Sequence, residues 1–294
     1  MIRSASILVS LVAAVAAWII ATPASAQEAS PSPSEAPSPS PASSPAGIQL
    51  RLTPYLWAPT INGSFNFHHP SLPPGSTAIT SVGVQVGPNS YLSKLNSAIE
   101  LTVELNDPHS VAFGDLIYLN AANTTATVFD LRGPLGHVSF PLNVSTSARI
   151  TTTLATIGLG GVVLGTGRNA AANVFAGLRY IDVNANASWN LAGPLGNFSR
   201  TGNASESSNN LAGIIGSRAR IGLGTSWYVP LYADYGGNGD LTTYQWAAGI
   251  AHSYHSGAQI LLWRQLAYIG NPGNTSFIST LHMGGPAFAW SFYL

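Results

Sequence analysis

Residues 98–106 read Ala98-Ile99-Glu100-Leu101-Thr102-Val103-Glu104-Leu105-Asn106. Ile99, Leu101, Val103 and Leu105 fall on one parity; Glu100, Thr102, Glu104 and Asn106 fall on the other. A period of two is the geometry of a β-strand, whose successive side chains point to opposite faces. One face of this strand is apolar and the other carries two carboxylates. Asn106-Asp107-Pro108 then supplies a turn.

The same alternation runs outward in both directions. Strands are expected at 49–57, 63–68, 110–119, 146–164, 172–190, 211–222, 226–235, 242–254, 258–269 and 277–294. With 98–106 these make eleven, and Val82-Gly83-Val84-Gln85-Val86 alternates as well. Short turns rich in Gly and Asn follow some strands, and longer connections lie at 69–94, 120–145 and 191–209. The repeated Gly-Pro-Leu-Gly at 133–136 and 193–196 reads as the tips of two long hairpins. Short turns alternating with long loops are the pattern of an up-and-down membrane barrel, and bacterial barrels have an even number of strands. The expectation is all-β: a closed, transmembrane, antiparallel up-and-down β-barrel of about 12 strands.

Composition agrees. Charged residues make up 7% of the 294, against about 25% in an ordinary soluble domain. There is no cysteine, Lys94 is the single lysine, and formal net charge is zero. Nucleic-acid binding calls for a basic stripe, so this balance argues against it. Residues 1–26 read as a signal peptide. Arg3 gives the positive start, 7–20 the apolar stretch and Ala24-Ser25-Ala26 the cleavage site. Residues 27–47 are almost entirely Ser, Pro, Ala and Glu and read as an extended, disordered linker. The barrel is expected over 48–294, in the outer membrane of a Gram-negative envelope.

Alternation also assigns faces. A charge facing lipid costs about 2–4 kcal/mol at the midplane, so charged residues fix the phase. Glu100, Glu104, Asp115, Arg179, Arg218, Arg220, Asp234 and Arg264 are expected in the lumen. There they either pair and brace the interior or line a polar pore. Tyr55, Trp57, Trp189, Trp227, Trp246, Trp263 and Trp290 are expected in the aromatic girdles of the headgroup layers. At the end of the chain Phe288, Trp290, Phe292 and Leu294 share one parity. They resemble the terminal strand recognised by the barrel-assembly machinery, with Leu where Phe is usual.

Several motifs in order carry a family resemblance: Thr53-Pro54-Tyr55-Leu56-Trp57, Asn62-Gly63, Asp115-Leu116-Ile117-Tyr118, Ala176-Gly177-Leu178-Arg179-Tyr180, Ile214-Ile215-Gly216-Ser217-Arg218, Tyr244-Gln245-Trp246 and Gly285-Pro286. Over about 53–290 the chain resembles proteobacterial outer-membrane proteins of largely uncharacterised function that begin with a P-Y-x-W motif. It departs from them at Asn209-Asn210, where an acidic residue is usual, and at Leu262-Trp263-Arg264, where Gly-Tyr-Arg is usual. The resemblance implies a barrel and names no substrate.

The functional expectation is porin-like passage of small solutes through a polar, mixed-charge lumen. The expected partners are outer-membrane lipid, the assembly machinery and small solutes. One alternative is a structural or surface-interaction barrel using loops 120–145 and 191–209. A second is a lipid hydrolase, for which His252-Ser253-Tyr254-His255-Ser256 is the suggestive cluster. It has no neighbouring acid to orient a histidine. No catalytic residue, cofactor or metal ligand is expected. His68 and His69 are adjacent, and adjacent strand positions point apart.

Overall fold

The computed structural model describes residues 48–68, 79–92, 95–125, 127–133, 136–137, 145–165, 170–192, 199–271 and 278–294. The expected signal peptide (1–26), the expected linker (27–47) and His69 lie outside them. In chain order the elements are β1 (Gln49–Trp57), β2 (Thr60–His68), β3 (Ile79–Val86), a short helix α1 (Pro88–Tyr91), β4 (Leu95–Asn106), β5 (Ser110–Thr125), β6 (Thr127–Gly133), β7 (Gly136–His137), β8 (Ser145–Leu164), β9 (Ala170–Ala192), β10 (Ser199–Leu223), β11 (Trp227–Gly237), β12 (Leu241–Tyr254), β13 (Gly257–Gly270) and β14 (Ile278–Tyr293).

All pairings are antiparallel, and the sheet closes on itself. The circuit runs β1-β4-β5-β8-β9-β10-β11-β12-β13-β14 and returns to β1. Leu56 lies opposite Phe288 at this seam, and Arg51 lies opposite Glu104 on the other side of β1. Closure removes the unpaired strand edges that lipid could not solvate.

Among the described residues the closed circuit has ten strands, and the reason lies in β14. Its residues 287–293 pair with β1, while 278–284 pair with β2. β1 and β2 therefore act as one interrupted strand broken at Ala58-Pro59, where the Ala58 N–H still donates to the Pro286 carbonyl at 3.0 Å. The alternation at 82–86 is a strand, β3, but it belongs to a side sheet. That sheet branches from β14 through β2, β3, β6 and β7. The described residues of the stretch expected as loop 120–145 are paired: β5 continues to Thr125, and Arg132 of β6 pairs with His137 of β7. The loop expected over 191–209 is paired up to Ala192 and from Ser199, with β9 and β10 in unbroken register from Ala170 opposite Ile221 to Ala192 opposite Ser199.

The polarity of the ring is inverted relative to a soluble domain. Val174, Leu178, Leu211, Ile215, Trp227, Leu261 and Phe288 are exposed on the outside. Arg179, Asp234, Arg264, Glu100 and Glu104 are buried inside. Water would not stabilise such a surface, whereas hydrocarbon does.

The inversion ends at one rung. On the outer face of β9, Val174, Ala176, Leu178 and Tyr180 give way to Asp182, Asn184 and Asn186. On β10, Ile215, Gly213 and Leu211 give way to Asn209, Ser207 and Ser205. On β8, Leu159, Ile157 and Ala155 give way to Thr153 and Thr151. Tyr180 is opposite both Leu211 and Ala155, and Asp182 is opposite both Asn209 and Thr153. Three strands thus change character at the same level. Beyond it the inner face of β9 is apolar, with Ile181 and Val183 buried. A span needs about 9–11 residues, so strands of 20, 23 and 25 residues project well past the apolar band as a polar ribbon.

Candidate functional site

The interior has three tiers, all built by the period of two. Inward positions on β1 are Arg51, Thr53, Tyr55 and Trp57; their outward neighbours include Leu56, which is 55% exposed. Tyr55 and Trp57, expected in a lipid-facing girdle, therefore point into the barrel. They share parity with Arg51 and Thr53, and that parity, readable in the sequence, decides their side. Trp57 is fully buried and its Nε1 donates to the Gly285 carbonyl at 3.3 Å.

The middle of the lumen is crossed by a polar network. Arg264 on β13 donates through Nη2 to Asp115 Oδ2 on β5 at 2.7 Å and through Nη1 to the Tyr55 hydroxyl at 2.9 Å. Tyr55 donates onward to Asp115 Oδ1 at 2.8 Å, and Thr102 donates to the same oxygen at 2.9 Å. The side-chain Oε1 of Gln245 on β12 accepts from Arg264 at 3.0 Å and from Arg179 on β9 at 3.3 Å. Arg179 is 1% exposed and makes a two-pronged pair with Asp234 on β11, Nη1 to Oδ1 at 2.8 Å. It also donates to Thr156 at 3.3 Å and Thr243 at 3.2 Å. Buried charges need partners of this kind, since desolvation otherwise costs several kcal/mol per ion.

Toward the long hairpins an apolar layer fills the barrel. Trp57, Ile117, Leu154, Ile181, Leu241, Leu266, Tyr268, Ile278 and Met283 form one cluster drawn from seven strands of the ring. Side chains from facing walls meet there, and each is under 4% exposed. A water-filled pore would leave its lining residues wet, so the lumen is closed at this level.

Toward the short turns and the strand termini the lumen opens into a cup of about 440 Å³. Glu104 stands in it between two guanidinium groups: its Oε2 pairs with Arg51 and its Oε1 with Arg218. Arg218 also lies over the Phe113 ring at 4.9 Å. Phe113 and Phe175 pack edge-to-face at 4.9 Å between centroids, backed by Ile214 and Tyr232. Arg220 lies over Tyr228 at 4.1 Å and is exposed.

The eight charges expected in the lumen all sit on inward parity. Glu100, Glu104, Arg179, Asp234 and Arg264 are buried, Asp115 and Arg218 are half-buried, and Arg220 is at the mouth. Glu100 accepts from the Trp57 N–H. Arg51, Gln245 and Thr243 belong to the same constellation and escaped the sequence reading. The parity of Arg51 with Thr53 carried the signal for Arg51. Of the aromatic residues, Trp227, Trp246, Trp263 and Trp290 face outward and are exposed. Trp227 begins its strand and Trp290 lies near the end of its own, whereas Trp263 is the seventh of fourteen residues in β13. The Trp189 side chain lies outside the described set. Phe288, Trp290 and Phe292 are exposed on the outside of β14 and Leu294 follows it, with Phe288 and Trp290 stacked edge-to-face at 4.4 Å. At the 255–256 turn, His252 packs against the Trp227 ring at 4.8 Å, and His255 and Ser256 are exposed; among the described residues neither histidine is hydrogen-bonded to a carboxylate.

No known protein family matches the chain, and no curated protein matches it. Among solved structures it is similar to the outer membrane protease OmpT from Escherichia coli, at 10% identity and a TM-score of 0.46, over 84% of this chain and 97% of that one. Pseudomonas aeruginosa OpdQ matches at 8% identity and a TM-score of 0.23, over 84% and 97%. The CymD monoaromatic hydrocarbon channel matches at 8% and 0.24, over 84% and 88%. The fold assignment rests on the chain's own strand pairing, which defines a closed antiparallel barrel of the outer-membrane type.

Proposed function

We propose that the protein is an outer-membrane barrel of the P-Y-x-W kind that handles small solutes, with a porin-like lumen held closed by a cross-braced middle. The observation that carries this reading is the Arg264–Asp115 pair, which spans the lumen between a wet cup and a dry apolar layer. A polar, mixed-charge interior suits solutes; its closure makes passage conditional on displacing both the brace and the apolar layer. In this reading the outer face meets lipid, the signal is removed near Ala26, and the apolar outer parity of β14 engages the assembly machinery. No enzymatic step is assigned.

Planar-bilayer recording on refolded protein tests this. Wild type is expected to stay mostly at baseline with rare openings, and Asp115→Asn combined with Asp234→Asn and Leu266→Ala, which loosen the brace and the apolar layer together, to open more often. A folded barrel that never conducts in either form would sink the reading.

The projecting ribbon of β8, β9 and β10 favours a second reading, a surface-interaction barrel. Rigid elements that carry polar groups away from a membrane are suited to recognition. Replacing 187–204 by Asn-Gly shortens the ribbon in register. Unchanged surface binding and envelope integrity in that variant would count against it.

A further inference from the structure

We propose that the cup at the turn-side mouth is a binding site for a small organic carboxylate with an apolar body. That the cup faces the periplasm rests on the outer-membrane reading above; its ligand chemistry does not.

The cup already contains a carboxylate, that of Glu104, gripped by Arg51 and Arg218 from two walls. Those walls lie on β1 and β10, and Glu104 itself stands on β4, so the grip is assembled across the lumen. Guanidinium forks match carboxylates in geometry as well as charge.

The charge count then leaves a surplus. The lining holds Arg51, Arg218, Arg220 and Arg264 against Glu104, Asp107 and Asp115. Arg264 is committed to Asp115, and Glu104 is shared by two arginines. Asp107 is occupied by N–H donors of its own turn. Among the described residues Arg220 has no carboxylate partner. Its contacts are the Tyr228 ring and a 3.4 Å hydrogen bond to the Ser253 hydroxyl. A stacked, pre-oriented guanidinium facing a cavity is a standing request for an anion.

Size and lining complete the case. About 440 Å³ falls within the range of small-molecule sites. Phe113, Tyr232, Ile260 and Leu262 provide apolar wall beside the arginines. A ligand with a ring or short chain attached to its carboxylate would use both.

Benzoate is the probe, titrated calorimetrically into the full barrel refolded in nanodiscs, with benzamide and inorganic phosphate as comparisons. Benzoate is expected to bind, with benzamide weaker by on the order of tenfold because it lacks the charge. Phosphate, lacking the apolar body, is expected to be weaker than benzoate. Arg220→Gln should weaken benzoate on the order of tenfold. Glu104→Gln should tighten it, because the internal competitor for Arg51 and Arg218 loses its charge. The proposal is overturned if benzoate does not bind, if benzamide binds as well, if phosphate binds better, or if folded Glu104→Gln loses affinity. Heat-modifiable gel mobility checks folding, and the exposed Arg220 site keeps the test available should Glu104→Gln misfold. Binding is read without conductance, so a silent bilayer recording would leave this result standing, and the reverse holds too.

Discussion

Arg264 and Asp115 meet at 2.7 Å although the shorter way round the ring between their strands takes four steps out of a possible five. Their pairing ties nearly opposite walls together. Asp115→Ala would strand the Arg264 charge in the interior, and breaking a buried pair this way costs about 3–5 kcal/mol. Replacing both by apolar residues, Asp115→Leu with Arg264→Met, should recover most of that loss. Urea unfolding of the barrel in lipid vesicles reads both. A double variant as unstable as the single one would show that the pair does more than satisfy itself.

Gly158 lies opposite Phe113, and a β-carbon there would run into the Phe113 ring. Gly158→Ala should destabilise by about 1–3 kcal/mol through overpacking. Gly213 faces outward with open space around it, so Gly213→Ala should be neutral or gain up to about 1 kcal/mol. Equal effects at the two sites would mean that the phenylalanine does not need that space.

The inverted polarity of the ring predicts position-dependent tolerance of charge. Leu261 is 55% exposed on the outer face. Leu261→Arg should cost up to about 2–4 kcal/mol, depending on depth. Ser207→Arg, on the projecting part of β10, should stay within about 0.5 kcal/mol. Comparable penalties at both positions would contradict a membrane boundary between them.

The turn after β4 has its own pH response. Asp107 accepts from the Ser110 hydroxyl, from the His109 N–H at 2.7 Å and from the Ser110 N–H at 2.9 Å. These bonds, the hydroxyl's foremost, hold its carboxyl below the usual aspartate value. The folded turn thus favours the charged form. Its stabilisation is complete above the ordinary pKa of about 3.9 and is lost as pH falls through the lower folded value. Amide protection factors at His109 and Ser110 should hold down to about pH 4 and then decline. In Asp107→Asn that decline should disappear.

Most of the ring could be read from alternation. Expected strand 49–57 coincides with β1, and 242–254 and 258–269 differ from β12 and β13 by a residue at one or both ends. Arg179, Arg218 and Asp234 fixed the phase of their strands because a charge has only one tolerable side. Two features were harder to read. Period two gives a strand's faces but not its neighbours, so nothing local told that β1 and β2 share β14 or that β3 lies off the circuit. Aromatic residues suit either a headgroup layer or a barrel interior, and Tyr55 and Trp57 were placed by type when Arg51 and Thr53 already fixed their parity. The hydroxyls and amide that complete the polar network, Thr156, Thr243 and Gln245, are indistinguishable by residue type from dozens of others.

The common rung where Tyr180, Leu211 and Ala155 are succeeded by Asp182, Asn209 and Thr153 also sets the height at which the barrel floats. Sinking by two residues would drag a carboxylate and an amide into hydrocarbon; rising by two would lift Tyr180 and Leu211 out of it. Both displacements are uphill, so the rung acts as a waterline. The reach of the ribbon above the surface is therefore a fixed distance written into three strands, and it would survive changes in the loops at its tip.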